Sequence, residues 1–451
     1  MKIKLFRSAT VGIISKNFKL LQDPWLTDGE YYGSWYHYPS FDLKNNLDEL
    51  NSYDAIYISH IHPDHCSEKT LKQLDKSIPV YIHKYHSKFL KIKIERQGFK
   101  VIELDNNKRS QIGPDFFINI MAADNCDPKL CYKFTGCANF EDLSIGSQQI
   151  DTLAIIDDNR NSVLNVNDCP LELATNTLPN ILKNYDKIDV LLTGYGGAGP
   201  YPQCFENLST NEKISESKKK KINFLNKAFE YIKISKPKYY LPFAGRYTLS
   251  GSLAHLNSIR GLPETDDAYD YIDEKISSSN LETLPIKINP SSEFNILDGS
   301  SDKPYLKFDK EHYNDFIKSI SNKKFDYQLQ EEQINDTQIF DLAESAFLRF
   351  IDKTSQLNIK INSDIYIDFN SKKILNIRSN DKKFNVIDKD KIDSSRNYVV
   401  YNLEKNLLNN ILNGPKFAHW NNAEIGSHLK FFRKPNIFER NIYLGMCYYH
   451  N

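Results

Sequence analysis

Three histidines and an aspartate follow an apolar segment at residues 59–65, which read Ser-His-Ile-His-Pro-Asp-His. Residues 55–58, Ala-Ile-Tyr-Ile, have the β-branched and aromatic character of a buried strand. A strand that ends in such a run carries its polar side chains into a loop, where a metal site can keep open positions. Because His60 and His62 are two residues apart, an extended chain directs both to the same side.

Asp64 and His65 follow the turn at Pro63 and can face a second metal ion about 3.5–4 Å from the first. The alternative is a polar surface loop that happens to contain histidine. The chain has 11 histidines in 451 residues, however, and three of them fall within this one loop. The loop therefore predicts a centre for two metal ions.

Composition restricts the class of protein further. The chain is 40% hydrophobic and has 58 basic and 58 acidic residues, so it is typical of a globular protein and offers no charge for nucleic acid. It has no apolar run of about 18 residues, so we expect no membrane span. Residues 1–6 alternate like a first strand and lack the long apolar stretch of a signal peptide. Seven scattered cysteines favour reduced thiols and a cytoplasmic location.

The pattern of elements predicts two domains. Strands alternate with helices over residues 1–260, as in an α/β sandwich, and residues 278–303 are rich in Ser, Asn, Pro and Gly. One amphipathic helix over residues 336–356 and several strands follow. We therefore expect a metal-binding catalytic domain over residues 1–299 and a smaller C-terminal α+β domain over residues 300–451.

The first loop, His-x-His-x-Asp-His after a buried strand, resembles the signature of the metallo-β-lactamase fold, which implies an αββα sandwich. Several further segments, in this order, are similar to the metallo-β-lactamase-fold part of CMP-N-acetylneuraminate hydroxylase and its bacterial relatives. Those segments are residues 23–26, 33–35, 165–169, 194–202 and 241–245, with residues 419–427 resembling the tail of the bacterial relatives.

The resemblance implies a ligand for each position of a two-metal centre. His60 and His62 would bind one metal, and Asp64 and His65 the other. Asp168, at the end of a predicted strand over residues 162–167, matches the carboxylate that bridges the two metals, the alternative being a turn-forming aspartate.

Two ligands depart from the family pattern, which has histidine at both positions. The strand at residues 116–121 is followed by Asp124 where a histidine is expected, with Cys126 and Asp127 as rivals. The closing strand near residue 242 carries no histidine, so His255 is the nearest candidate, the alternative being a surface histidine.

This ligand set bears on the identity of the metal. Replacing an imidazole by a carboxylate makes the site harder, and mixed sites of this kind suit Fe and Mn at least as well as Zn. We therefore expect two divalent metal ions, with Fe favoured and Zn or Mn as alternatives.

Asp64, as a metal ligand, and Arg246 are the candidate catalytic residues. Arg246 follows a strand end and suits recognition of a carboxylate or phosphate, the alternative being an ordinary ion pair. Backbone N–H groups of residues 194–202 could bind an anion, or the glycines there could simply serve a tight connection. Residues 419–422 form a polar and aromatic cluster that either caps the site or is a buried turn.

The resemblance implies an O2-using, metal-dependent hydroxylase of a small molecule such as a nucleotide-activated sugar. In that family a Rieske domain supplies electrons, and these 451 residues contain no Cys-x-His followed by Cys-x-x-His. Either a separate electron-transfer protein acts here or the chemistry differs. The alternatives are a hydrolase of an ester, lactone or amide using metal-bound water, and a non-catalytic binding protein on a decayed scaffold.

Overall fold

The computed structural model describes residues 1–123, 151–331 and 334–451. Strands are numbered in chain order among these residues. They are β1 (Lys2–Arg7), β2 (Thr10–Ile14), β3 (Lys19–Gln22), β4 (Trp35–Tyr36), β5 (Ala55–Tyr57), β6 (Val80–His83), β7 (Val101–Leu104), β8 (Ser110–Gly113), β9 (Phe116–Ala122), β10 (Thr152–Asp157), β11 (Ser162–Asn165), β12 (Val190–Gly194), β13 (Tyr239–Phe243), β14 (Thr248–Leu249), β15 (Leu284–Pro285), β16 (Ser292–Asn295), β17 (Ser300–Ser301), β18 (Asp364–Asp368), β19 (Lys373–Arg378), β20 (Lys383–Asp388), β21 (Tyr398–Asn402) and β22 (Lys430–Lys434).

The α-helices are numbered in the same way. They are α1 (Glu30–Gly33), α2 (Leu47–Leu50), α3 (Glu68–Leu71), α4 (Phe89–Glu95), α5 (Leu171–Leu182), α6 (Thr210–Ser235), α7 (Thr265–Ser278), α8 (Lys310–Ile320), α9 (Asp336–Gln356), α10 (Lys405–Leu412), α11 (Trp420–Ile425) and α12 (Arg440–Met446). Short 3₁₀ helices cover Lys44–Asn46, Gly251–Ser258, Asp326–Leu329 and Lys389–Lys391.

Two sheets form the N-terminal sandwich. The first has the order β17-β16-β1-β2-β3-β5-β6-β7, and the second the order β15-β13-β12-β11-β10-β9-β8. One buried core contains side chains of both sheets, such as Val11 and Leu20 from the first and Ile118 and Val190 from the second. These apolar side chains alternate along their strands, which is how a sheet buries one face.

Helices cover both outer faces. Helices α2, α3 and α4 pack on the first sheet, and α5, α6 and α7 pack on the second. The order helix, sheet, sheet, helix is the αββα sandwich, so the expected fold class is confirmed.

Strand direction places the important loops at one edge. β3 and β5 are parallel, and so are β11, β12 and β13. β10 is antiparallel to β11, with Ala154 opposite Asn165. The chain after β3, β5 and β11 and the chain before β10 therefore meet at the carboxyl ends of the parallel strands, where α/β sheets bind ligands.

The C-terminal sheet has the order β20-β19-β18-β21-β22. Its core is continuous with loops of the sandwich, because Trp25, Trp35 and Tyr247 belong to the same buried cluster as Trp420 and Phe431. The last strand of the sandwich sheets ends at Ser301, and the domain division at residues 299 and 300 stays a prediction. Among the described residues, no helix has the length and apolar character needed to span a bilayer.

We predict that Glu424, on α11, makes stability depend on pH. The residue is 4% exposed, and burial raises the pKa of its carboxyl from 4.5 to about 8. The folded protein therefore holds this proton more tightly than the unfolded chain does. This stabilisation is complete below pH 4.5 and is lost as the pH rises through about 8.

Glu424→Gln should remove that dependence, so the difference in unfolding free energy between wild type and variant should change by about 1 kcal/mol or more over this pH range. Urea unfolding at a series of pH values measures it. Glu344→Gln, at an exposed position of α9, is the matched control. Parallel pH curves for wild type and Glu424→Gln would contradict the prediction.

Candidate metal centre

Hydrogen bonds to its backbone carbonyls hold the chain after β5 in a compact loop. The carbonyl of Ser59 accepts hydrogen bonds from Tyr85 Oη at 2.6 Å and from Thr152 Oγ1 at 2.8 Å. The carbonyl of His62 accepts from the amides of His65 and Cys66. These contacts close a turn and bring all three loop histidines to the same edge of the sandwich.

Asp23, which directly follows β3, organises this loop. Its carboxylate accepts hydrogen bonds from the Ser59 amide at 2.7 Å, from Ser59 Oγ at 2.8 Å and from His65 Nδ1 at 2.8 Å. Asp23 is fully buried and has a φ of 44°, a region that residues other than glycine rarely adopt. Strained positions of this kind concentrate at functional sites.

Each imidazole has one nitrogen held by a neighbour. His60 Nδ1 lies 2.9 Å from Ser59 Oγ, and His65 Nδ1 donates to Asp23. His62 Nε2 donates a hydrogen bond of 3.2 Å to Asn421 Oδ1. The remaining nitrogens face one another or the neighbouring carboxylates: His60 Nε2 and His62 Nδ1 are only 3.0 Å apart, and His65 Nε2 lies beside Asp168. Such contacts fix the orientation and tautomer of metal-binding histidines.

Three carboxylates lie beside these nitrogens. Asp151 Oδ1 lies 3.9 Å from His60 Nε2. Asp168 Oδ2 and Asp64 Oδ2 lie 3.5 Å and 3.7 Å from His65 Nε2. Within the described ranges, two groups of three residues have ligand atoms within 4.8 Å of one another, namely His60, His62 and Asp151, and His60, His65 and Asp168.

The electrostatics of the cluster suit a cation. Burial lowers the pKa of His60 and of His62, which keeps both imidazoles neutral. Burial and the nearby Asp168 raise the pKa of Asp151 to about 8. Burial opposes the charge of His65, but Asp168, Asp23 and Asp64 outweigh it and raise that pKa well above its ordinary value. The pocket thus holds excess negative charge, which divalent cations would neutralise.

Sequence reasoning found four of the residues that the structure brings together. His60, His62, His65 and Asp168 are the members of the two groups that were predicted, and Asp64 lies next to His65. Asp124 and its rivals Cys126 and Asp127 lie outside the described residues, so that assignment stays a prediction.

Asp151 was missed. It precedes β10, and β10 pairs antiparallel with β9, so that Thr152 lies opposite Ala122. The family pattern places a metal ligand just after β9. Asp151, just before β10, lies beside that position because the two strands are paired. In the sequence, Asp151 is only a single aspartate before the apolar segment Thr152–Asp157. It can be recognised as a candidate ligand only when the pairing of β9 with β10 is known.

Two predicted residues lie elsewhere. His255 is exposed on the 3₁₀ helix Gly251–Ser258, and its Nδ1 lies 2.8 Å from the carbonyl of Ser252. It belongs to neither group of ligands. His255 is exposed in the last turn of this helix, which follows the closing strand, so its position corresponds to the alternative of a surface histidine.

Arg246 also does not join the cluster. Its guanidinium lies 4.2 Å from the ring centroid of Phe308 and 4.9 Å from that of Tyr313, and it forms an ion pair of 3.0 Å with Glu264. The contacts are those of the ion pair that was the alternative, stacked among aromatic rings. The buried Nε and Nη2 of Arg246 have no hydrogen-bond partner among the described residues.

The C-terminal part of the chain covers the loop. The His419 amide donates to Tyr32 Oη at 2.7 Å, and His428 Nε2 lies 2.7 Å from the carbonyl of Tyr31. Tyr31 Oη donates to Asp64 Oδ1 at 2.5 Å. Together with the contact between Asn421 and His62, these bonds correspond to the capping interpretation of residues 419–422.

The fold and this donor set define a metallo-β-lactamase-fold protein with a site suited to divalent metals. Residues 2–136 match the family model of the beta-lactamase superfamily domain. The chain also resembles curated relatives named cytidine monophosphate-N-acetylneuraminic acid hydroxylase. It is 28% identical to that of Danio rerio over 239 residues (51% of this chain and 35% of the relative) and 28% to that of Mus musculus over 241 residues (51% and 37%).

A putative Rieske 2Fe-2S iron-sulfur protein of Mycolicibacterium smegmatis is 25% identical over 256 residues, which are 56% of this chain and 45% of that protein. The chain thus spans between about a third and a half of the length of these relatives. Among solved structures, CmlA, a diiron beta-hydroxylase from Streptomyces venezuelae, is 13% identical with a TM-score of 0.39, covering 63% of this chain and 52% of CmlA.

We predict that Asp151 is needed for metal binding. Asp151→Asn should lower the metal content per chain as strongly as His62→Ala or Asp168→Ala, because each variant removes one donor. Elemental analysis of proteins purified in parallel measures this. Asp157→Asn, at the other end of β10, is the matched control and should keep its metal. Full metal content in Asp151→Asn would remove Asp151 from the site.

We predict that Asp23 acts by orienting His65 and the loop. Asp23→Asn keeps the size of the side chain but loses the charge that fixes the His65 tautomer, and should weaken metal affinity by about 10–100-fold. Competition with a chelator gives the affinity. Asp54→Asn, an exposed carboxylate that accepts from the Lys19 amide, is the control. An unchanged affinity in Asp23→Asn would assign no orienting role to this carboxylate.

Proposed function

We propose that the protein is a metal-dependent oxygenase that hydroxylates a small molecule with O2. The observation that carries the proposal is the donor set, in which three imidazoles and three carboxylates meet, and no thiol joins them among residues 1–123, 151–331 and 334–451. Such a set with open positions suits iron and manganese at least as well as zinc. The names of the relatives point to the same kind of reaction.

The residues would divide between two metal ions. His60, His62 and Asp151 would hold one, and His65, Asp64 and Asp168 the other. We propose Fe for both, with Zn or Mn as alternatives. Bound iron would supply the redox chemistry with O2, while the protein fixes geometry and excludes water.

Other side chains of the chain prepare this site. Tyr31 Oη holds Asp64 by its hydrogen bond, and burial beside Asp64 raises the pKa of Tyr31 well above its ordinary value, so the phenol remains a donor. The rings of Trp35 and Tyr247 stack with their centroids 3.5 Å apart. Trp35 also packs against the ring of Tyr31. Trp35 and Tyr247 are both almost fully buried, which limits the access of water from the side of these rings.

The reaction needs an electron source. Hydroxylation of a C–H bond by O2 places one oxygen atom in the product and reduces the other to water, which takes two electrons and two protons. We propose a separate electron-transfer protein as the donor, a role that suits an iron–sulfur protein. The proposed substrate is a nucleotide-activated sugar or a related small molecule.

We predict that iron-loaded protein consumes O2 when a reduced iron–sulfur protein is supplied. An oxygen electrode measures the rate, with cytidine monophosphate-N-acetylneuraminic acid as the first substrate tested and ¹⁸O2 to trace the product oxygen. The rate should fall to background in Asp151→Asn and persist in Asp157→Asn.

A different outcome would favour the hydrolase alternative. Tightly bound zinc, turnover of an ester, lactone or amide without O2, and product oxygen derived from labelled water would together contradict the oxygenase. A carefully purified sample that binds no added metal would instead support a non-catalytic binding protein.

A further inference from the structure

A cavity of about 560 Å³ lies outside the group of candidate metal ligands, and most of its lining comes from the C-terminal part of the chain. Aromatic side chains form much of its wall, including Tyr398 and Tyr401 of β21 and Phe431 of β22. Its size falls within the range of sites that bind small molecules. An aromatic wall of this kind suits a flat ring, which can stack on the side chains or meet them edge to face.

Glu424 lies at this cavity and is 4% exposed. One of its oxygens accepts a hydrogen bond from Trp420 Nε1 at 2.9 Å, and the other has no partner among the described residues. At the cavity wall this oxygen is available for a hydrogen bond with a ligand. Because burial raises the pKa of this carboxyl to about 8, it is mostly protonated at neutral pH and can donate a hydrogen bond to a ligand.

Arg433 supplies a positive charge to the same cavity. Its guanidinium lies 4.6 Å from the ring centroid of Phe205 and 5.8 Å from that of Tyr201, and its Nε donates to Asn436 Oδ1 at 2.7 Å. No carboxylate in the described part of the chain forms an ion pair with it. Arginine prefers a carboxylate or phosphate partner, so an anionic group of a ligand would fill this position.

Two exposed apolar side chains also line the cavity. Ile437 and Phe438 both line it, and they are 67% and 66% exposed. Exposed apolar side chains that adjoin a cavity are typical of binding sites, because an occupant removes them from water.

The cavity is connected to the metal loop by two side chains. Tyr443 lines the cavity, and Asn421 Nδ2 donates a hydrogen bond to Tyr443 Oη. Asn421 Oδ1 in turn accepts from His62 Nε2 at 3.2 Å. A ligand that moves Tyr443 therefore acts, through one amide, on the orientation of a metal-binding imidazole.

We propose that this cavity binds a planar ring carrying an anionic group, with the anion at Arg433 and the ring edge at Glu424, and that Tyr443 and Asn421 couple its occupancy to His62. The binding half of the proposal is independent of the proposed function. The coupling half rests on the metal centre assigned there.

Isothermal titration calorimetry of the full chain tests binding, with cytidine monophosphate and 4-hydroxybenzoate as probes. These distinguish a nucleotide from an aromatic carboxylate, and saturable 1:1 binding of either supports the cavity when it is weakened by substitution of Arg433, which lines this cavity. Arg433→Gln should weaken binding by about tenfold or more, the loss expected for a hydrogen bond to a charged group. Lys430→Gln, an exposed charge on the same strand, should not.

Binding with equal affinity in wild type and Arg433→Gln would overturn the assignment of the site. So would the absence of binding by both probes at millimolar concentration. Either result can occur while iron-dependent O2 consumption persists, and binding can persist in metal-free protein that shows no oxygenase activity. The failure of this inference and the failure of the proposed function are therefore distinguishable.

Coupling is measured as the ratio of Co²⁺ affinities with and without saturating probe. Because linkage is reciprocal, a coupled probe changes the metal affinity by the same factor as the metal changes the probe affinity, and we expect about fivefold or more. Tyr443→Phe keeps the ring but removes the hydroxyl, so its ratio should approach one. A ratio of one in wild type, or the wild-type ratio in Tyr443→Phe, would overturn the coupling.

Discussion

The carboxylate of Asp23 is the contact on which the geometry of the candidate metal centre depends. It accepts three hydrogen bonds from Ser59 and His65, and it is fully buried at the end of β3. Since β3 and β5 are parallel neighbours, the Asp23 amide also donates to the carbonyl of Tyr57 at 2.9 Å. A buried anion needs such partners. The polar loop is thereby tied to the paired strands β3 and β5, which keeps its side chains in place.

The local sequence pattern was sufficient to predict the candidate ligands of the first loop, but not those of the rest of the centre. His60, His62 and His65 follow one strand within six residues, so their convergence needs only the strand and the turn. Asp151 needs the pairing of β9 with β10, a contact set by tertiary structure. The same limit affected His255, because a position near the end of a domain does not say where a helix directs its side chain. Strand and helix positions such as β6 and α9 were predictable because their apolar periodicity is strong.

The glycines that follow β12 show a second limit of prediction from sequence, which concerns the reason for a glycine. A Cβ on Gly196 would lie 2.6 Å from the carbonyl oxygen of Gly245, and one on Gly197 would lie 1.8 Å from the ring of Phe224. Close packing of two loops and a helix therefore accounts for these glycines, as the tight-connection alternative has it. A glycine-rich sequence alone does not distinguish close packing from ligand binding, since both require the absence of a side chain.

The C-terminal part of the chain belongs to the metal centre in a physical sense. Tyr31 and Tyr32 have φ values of 49° and 60°, and both are held by contacts with residues after 418. The strained turn presents the Tyr31 hydroxyl to Asp64, so packing between distant segments fixes a carboxylate beside His65. Strain of about 1–3 kcal/mol at each such residue persists only where surrounding structure determines it. The shared core of Trp25, Trp35 and Trp420 is the surrounding structure that holds these residues in place. The geometry of the candidate centre therefore depends on the packing of the C-terminal part against the sandwich.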